Sequence, residues 1–226
     1  MLTPHEEIFA FDVAIHDEVP KHRRVEDLDQ NHMFSNEFFG ALHVVQVGWA
    51  NGKVCDKLPA VVERLVRPDG FVIAQAAAHR HKITQAQAAA NGSPIADVLT
   101  QLFCAARAAH IRGALFTSFN ADFDTGMVRS ELRRAGFYAE AHEWDVFTAN
   151  RLDTMDHRIG KWVMSFTLGG DKGLLTLGET AAALVPADEV SLCKARHQAG
   201  ADAQLHWFLC KSLLQRVADE KASRLS

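Results

Sequence analysis

Three aspartates and one histidine stand out by type and spacing. Asp12 interrupts Ile8-Phe9-Ala10-Phe11-Asp12-Val13-Ala14, an otherwise apolar run, and a buried carboxylate without a partner is costly. Asp124 falls in the first turn of a predicted helix, and Asp202 opens another, five residues after His197. Helix-start aspartates are commonly just stabilising, because the helix dipole favours negative charge there. Asp12 has no such explanation. Carboxylates are hard oxygen donors and an imidazole moves protons near neutral pH.

The elements that must position them are mixed. The run from Ile8 to Ala14 has the length and continuous apolarity of a strand buried on both faces. Leu42 to Ala50 predicts a second strand, Asn51-Gly52 a hairpin turn, and Lys53 onward a third strand. Ser93 caps and Pro94 opens a helix in which Ile95, Val98, Leu99, Leu102 and Ala106 keep helical spacing. Ala114 to Ser118 predicts a short strand. It leads into Asn120-Ala121-Asp122, the cap of a helix from Phe123 to Ala135 that stops at Gly136. The last helix runs from about Asp202 to Glu220. Strands first, then alternating helix and strand, predict an α/β fold with a mixed sheet flanked by helices. No linker or repeat divides residues 1–226, which predicts one domain with an irregular insertion at about 16–41. That insertion carries Lys21 to Arg24, candidates for phosphate contact, and Phe34, Phe38 and Phe39. A solvated loop docked by its phenylalanines is the plainer reading, and a substrate-facing flap the sharper one.

Three stretches occur in a suggestive order. They are Phe9-Ala10-Phe11-Asp12-Val13-Ala14, then Asn120-Ala121-Asp122-Phe123-Asp124 running on to Gly136, then His197-Gln198-Ala199-Gly200-Ala201-Asp202-Ala203. They resemble the three motifs of the DnaQ-like (DEDDh) 3′–5′ exonucleases, and His81-Lys82-Ile83-Thr84 resembles the spacer between the first two. The resemblance covers roughly residues 7 to 216. It implies a ribonuclease H-like fold, with a five-stranded sheet made of a three-stranded antiparallel meander plus parallel strands. The implied activity releases nucleoside monophosphates from the 3′ ends of single-stranded DNA or RNA. Two divalent ions, Mg2+ or Mn2+, would sit on Asp12, Asp124, Asp202 and a fourth carboxylate, with His197 as general base. Asn120, Phe119 and Ile15 would contact substrate, and some relatives are dimers, which admits a homodimer. Two ions ~3.5–4 Å apart can clamp the attacking and leaving oxygens of a phosphodiester.

One position departs from that pattern. The first motif needs Asp-x-Glu, since residues i and i+2 of a strand share a face, but Ala14 stands where the glutamate belongs. Its absence implies impaired metal binding and hydrolysis. An engineered inactivating substitution is the favoured explanation, because every other site residue survives. A natural pseudo-exonuclease that binds without cutting is the alternative. Asp17 or Glu18 curling back is a third. Phe119 also departs, standing where many relatives have histidine; base stacking and core packing are equally open for it. Histidines 79, 81, 110 and 206 show no ligand spacing and read as ordinary surface or core residues.

Composition narrows the class without choosing the partner. With 48% hydrophobic and 23% charged residues, disorder and coiled coil are excluded. The net charge of −4 lacks the basic excess usual for nucleic-acid binders, but a carboxylate cluster adds to the acidic count while its ions supply positive field. Cys55, Cys104, Cys193 and Cys210 form no CxxC pair, which predicts reduced and mostly buried thiols. Acidic residues within Met1 to Glu7 argue against a signal peptide, and no run approaches ~20 apolar residues. The expectation is an intracellular protein, cytoplasmic or nuclear, with no membrane partner.

Overall fold

A computed structural model describes residues 6–17, 36–156, 158–160, 175–192 and 197–225. Its centre is β1 (Glu7–Ile15). On one side β1 pairs antiparallel with β2 (Val44–Lys53), and β2 pairs antiparallel with β3 (Ala60–Leu65). On the other side β4 (Leu115–Ser118) runs parallel to β1, and β5 (Leu152–Asp153) parallel to β4. The order is β3-β2-β1-β4-β5, a meander extended by two parallel strands. The helices, in chain order, are α1 (Asn36–Gly40), α2 (Gln75–His81), α3 (Gln85–Asn91), α4 (Ile95–Ile111), α5 (Ala121–Arg134) and α6 (Tyr138–Phe147), then α7 (Leu177–Leu184), α8 (Ala187–Leu192) and α9 (Ala199–Leu225).

Strand periodicity divides β1 between two cores. Phe9, Phe11, Val13 and Ile15 pack with Val98 and Leu102 of α4, Met127 and Val128 of α5, and Trp144 of α6. Ile8 and Ala10 face the other way, onto Leu205, Trp207 and Leu209 of α9 and Ala181 of α7. Asp12 and Ala14 continue that second set, so the pleat places both on the face that α9 covers.

Some local expectations fail for identifiable reasons. Asn51-Gly52 does not turn: both residues stay in β2, opposite Phe9 and Ile8. The ladder to β1 outweighs their turn preference, and the chain reverses after Lys53 instead. There Asp56 Oδ2 accepts the Lys53 N–H at 2.7 Å, and the Asp56 N–H donates back to the Lys53 carbonyl at 2.9 Å. Ser93 does not cap α4: it forms a parallel bridge with Val66, its N–H donating to the Leu65 carbonyl at 2.9 Å, and Pro94 takes the cap position. Among the described cysteines Cys55 and Cys104 are exposed and Cys210 is buried, against the expectation of mostly buried thiols; Cys193 lies outside the described residues.

The described end of the insertion docks through its aromatics. Phe39 is buried, and its ring lies 6.1 Å from Phe123. Gly126 makes room for it: a Cβ there would stand 2.2 Å from Phe39 Cζ. Arg134 holds this corner, donating to the Gly40 and Leu42 carbonyls at 3.0 Å each. Phe34, Glu18 and the Lys21–Arg24 run lie outside the described residues. No described helix is long and apolar enough to cross a membrane.

Candidate active site

The end of β1 opens on a cavity of about 180 Å³. Asp12, Ala14, Ile15, Asp17, Arg80, His81, Phe123, His197 and Asp202 contribute to its wall. Four of the residues singled out from the sequence, Asp12, Ile15, His197 and Asp202, therefore meet at one place, together with the alanine where a carboxylate was expected. Asp17, considered as a stand-in carboxylate, is there too.

Asp124 stands behind this wall rather than in it. It is 3% exposed, its Oδ1 accepts the Val13 N–H at 3.2 Å, and its Oδ2 accepts the Ser118 hydroxyl. Burial pushes its pKa up to about 7; the two hydrogen bonds oppose that, and the charges of Asp153 and Asp202 reinforce it. A carboxyl raised in this way holds a proton in the folded state that the unfolded chain has released, so its contribution to stability falls as pH rises from about 4 to about 7. Asp124→Asn keeps an acceptor for Val13 and a partner for Ser118. We expect it to match the unmodified chain near pH 4, to gain on it up to about pH 7, and to hold a constant advantage above. Urea unfolding across that range checks this, and a pH-independent difference would refute it.

The remaining groups come from the start of α9. His197 adopts a left-handed conformation (φ 68°), which histidine tolerates better than most side chains, and its N–H donates to Asp202 Oδ2 at 2.9 Å. The sheet holds this corner through residues that sequence reasoning passed over. Gln46 of β2 accepts the Ala199 N–H at 2.8 Å, and Glu63 of β3 accepts the Gly200 N–H at 3.0 Å. Gly48 lets the helix sit directly on the strand. A glycine inside a valine-rich strand was the readable sign of that close approach.

Asn120 and Phe119 lie outside the cavity wall. Asn120 precedes α5 in a left-handed conformation (φ 67°) and makes no side-chain cap. Its N–H instead donates to Asp153 Oδ1 at 2.9 Å, an oxygen that also accepts the Met155 N–H. Phe119 stacks on His206, centroids 6.4 Å apart, beside the α9 core. Asp153, at the end of a two-residue strand, carried no periodic signal in the sequence. His81 was read as an ordinary surface or core residue because it shows no ligand spacing.

Among the described residues no three of His, Cys, Asp and Glu are grouped so as to hold an ion. Asp12 and Asp202 open on the cavity, both oxygens of Asp124 are engaged, and position 14 offers no oxygen. As they stand, these side chains do not fit a pair of divalent ions.

No protein-family model matches the sequence, and no curated protein does. Solved structures do. The chain is similar to a moderately thermophilic exonuclease I from Methylocaldum szegediense, with a TM-score of 0.64 at 16% identity, covering 93% of this chain and 40% of that one. It is similar to E. coli exonuclease I in complex with a 5cy-dT13 oligonucleotide, with a TM-score of 0.64 at 14% identity, covering 94% and 41%. A zinc-bound E. coli exonuclease I–ssDNA complex gives 0.62 at 14% identity, covering 94% and 41%. The chain thus spans about two fifths of those proteins' length. At such identities the likeness establishes the fold: a mixed five-stranded sheet flanked by helices, the ribonuclease H-like fold of exonuclease I.

Proposed function

We propose that this chain is a 3′–5′ exonuclease scaffold that binds the 3′ end of single-stranded DNA or RNA, and that Ala14 impairs its hydrolysis. One observation carries the reading: Asp12, Ala14, His197 and Asp202 line a single cavity, with Asp124 directly behind. The oligonucleotide complexes of the similar exonuclease I support a single strand as the ligand. The reading takes residues 1–226 as one exonuclease-like domain.

With a glutamate at position 14, Asp12, Asp124, Asp202 and that glutamate would hold two divalent ions, Mg2+ or Mn2+. The ions would supply charge relief at the phosphodiester and an acidified water. His197, exposed at the cavity mouth, would take the proton of that water. Without the glutamate the same cavity serves binding, whether the substitution is engineered or natural.

The test is a 5′-labelled single strand offered to the unmodified chain and to Ala14→Glu, with Mg2+, Mn2+ or EDTA. The unmodified chain is expected to bind the strand and leave its length intact. Ala14→Glu is expected to shorten it from the 3′ end. If Ala14→Glu binds strands but never shortens them, the hydrolytic half of the reading fails and a strand-binding module is left.

A further inference from the structure

Residues 67–92 leave the sheet and return to it through a narrow neck. Val66 forms a parallel bridge with Ser93. The Arg67 N–H donates to the Ser93 carbonyl at 2.8 Å, and the Ser93 N–H to the Leu65 carbonyl at 2.9 Å. Gly92 lets the two sides touch: a Cβ there would stand 2.4 Å from Arg67 N and 2.6 Å from the Val66 carbonyl carbon.

Beyond the neck, α2 and α3 form one piece. Gln85 Oε1 accepts the Ile73 N–H at 2.8 Å, and Lys82 (φ 61°) turns the chain between the helices. The Ile83 N–H donates to His81 Nδ1 at 3.1 Å, which leaves the proton of the neutral ring on Nε2. This piece buries little. The buried residues of its helices are Ala77, His81 and Ala88, with Ile73 and Ile83 beside them against Val45 of β2. Elements fastened by so little apolar surface open locally, well before the whole fold does.

The contacts that hold this piece down gather at the end of β1 and the start of β2. The Ala74 N–H donates to the His16 carbonyl at 2.7 Å, Phe71 stacks on His43 with centroids 4.5 Å apart, and the His81 ring meets the Ile15 backbone. So placed, Ala77, Arg80 and His81 wall the cavity opposite His197 and leave it about 180 Å³. Sites that hold small ligands commonly enclose about 300–1,000 Å³, so a terminal nucleotide needs more room. The other walls are fixed. β1 lies in the middle of the sheet, the start of α9 is tied to Gln46 and Glu63, and Phe123 packs against Phe39.

We propose that residues 67–92 form an autoinhibitory gate, closed over the strand cavity by the Ala74–His16 bond and swinging out on the Val66–Ser93 neck to admit a 3′ end. The gate rests on the strand-binding reading above. A strand binds only the open form, so its apparent affinity is reduced by the fraction of molecules that are open.

Ala74→Pro tests the gate on the full chain. Ala74 has φ −62° and ψ 144°, which a proline ring fits without strain while removing the N–H that His16 holds. Loss of one hydrogen bond from the closed form raises the open fraction about fivefold. Stopped-flow fluorescence anisotropy with a ten-residue oligothymidylate, in Mg2+ and in EDTA, is expected to show association about fivefold faster and dissociation unchanged. Ala74→Ser keeps the N–H and is expected to bind as the unmodified chain does. Association no faster in Ala74→Pro, or weaker binding, overturns the gate and leaves the proposed function standing. An unmodified chain that binds no strand in either buffer removes the proposed function itself, and the gate with it. Should Ala74→Pro lose its thermal transition, the unmodified chain reports directly. Deuterium exchange at its Ala74 amide is expected to accelerate about tenfold on saturation with the strand, and an amide that stays protected overturns the gate.

Discussion

Ala14→Glu is expected to raise ion-dependent shortening of a single strand on the order of 100-fold or more over the unmodified chain, the scale on which a fixed charge-stabilising group acts. Position 14 is partly open to the cavity, and Ala14 also packs against the apolar cluster of Val45, Ile73 and Ala77. The strand itself is preserved: Ala14 pairs with Gln46 through the backbone, next to a register shift at Ile15. Because the new carboxylate stands beside that cluster, stability should fall by about 1 kcal/mol, the usual scale of a point substitution. The new carboxylate would share a face with Asp12, and the two together with Asp124 would hold the ion. Asp124 must then ionise, and its raised pKa means that the restored rate climbs with pH toward neutrality. Bound cations favour the carboxylate form, so the midpoint of that climb should lie below about 7 and fall as Mg2+ is increased. Ala14→Gln, of the same shape without the charge, should restore nothing. Equal shortening by the Gln and Glu variants would show that the charge at position 14 is not what the site lacks.

The parts of this molecule legible in its sequence are those set by periodicity. The apolar run of β1 forecast a strand buried on both faces, and its alternation sends Phe9 and Phe11 to one core and Ile8 and Ala10 to the other. Asp12, His197 and Asp202 could be picked out because a carboxylate in an apolar strand and a helix-opening aspartate break local patterns. What the sequence hid depends on partners distant along the chain. Asn51-Gly52 has a strong local turn preference, yet two neighbouring strands claim its backbone. His81 looked like one more histidine until the turn at Lys82 fixed its tautomer and the fold set it beside Ile15. Asn120 looked like a helix cap by side chain, but Asp153, 33 residues away, holds its N–H and leaves the side chain no such bond.

Gly48→Ala is the second large effect, and it tests whether the sheet or α9 itself positions His197 and Asp202. Gly48 lies in register between Asp12 of β1 and Glu63 of β3, and the first turn of α9 rests on that gap. A Cβ at position 48 would stand 2.1 Å from the Ala199 carbonyl carbon and 2.2 Å from Gly200 N, against the backbone of that one peptide group. A backbone cannot swing aside as a side-chain tip can, so either the strand bends or the helix lifts. Lifting the helix breaks the bonds from Ala199 to Gln46 and from Gly200 to Glu63, and it carries His197 and Asp202 away from Asp12. Overpacking of this kind costs about 3 kcal/mol, which at roughly 2–4 °C per kcal/mol for a chain of this size lowers Tm by about 6–12 °C. Strand binding should weaken with it, and hydrogen exchange at the Ala199 and Gly200 amides should accelerate. Gly40→Ala, where a Cβ meets nothing within 4 Å, is the control and should leave all three measurements unchanged. If Gly48→Ala keeps its Tm and its protected amides, α9 holds its own first turn, and the sheet only receives it.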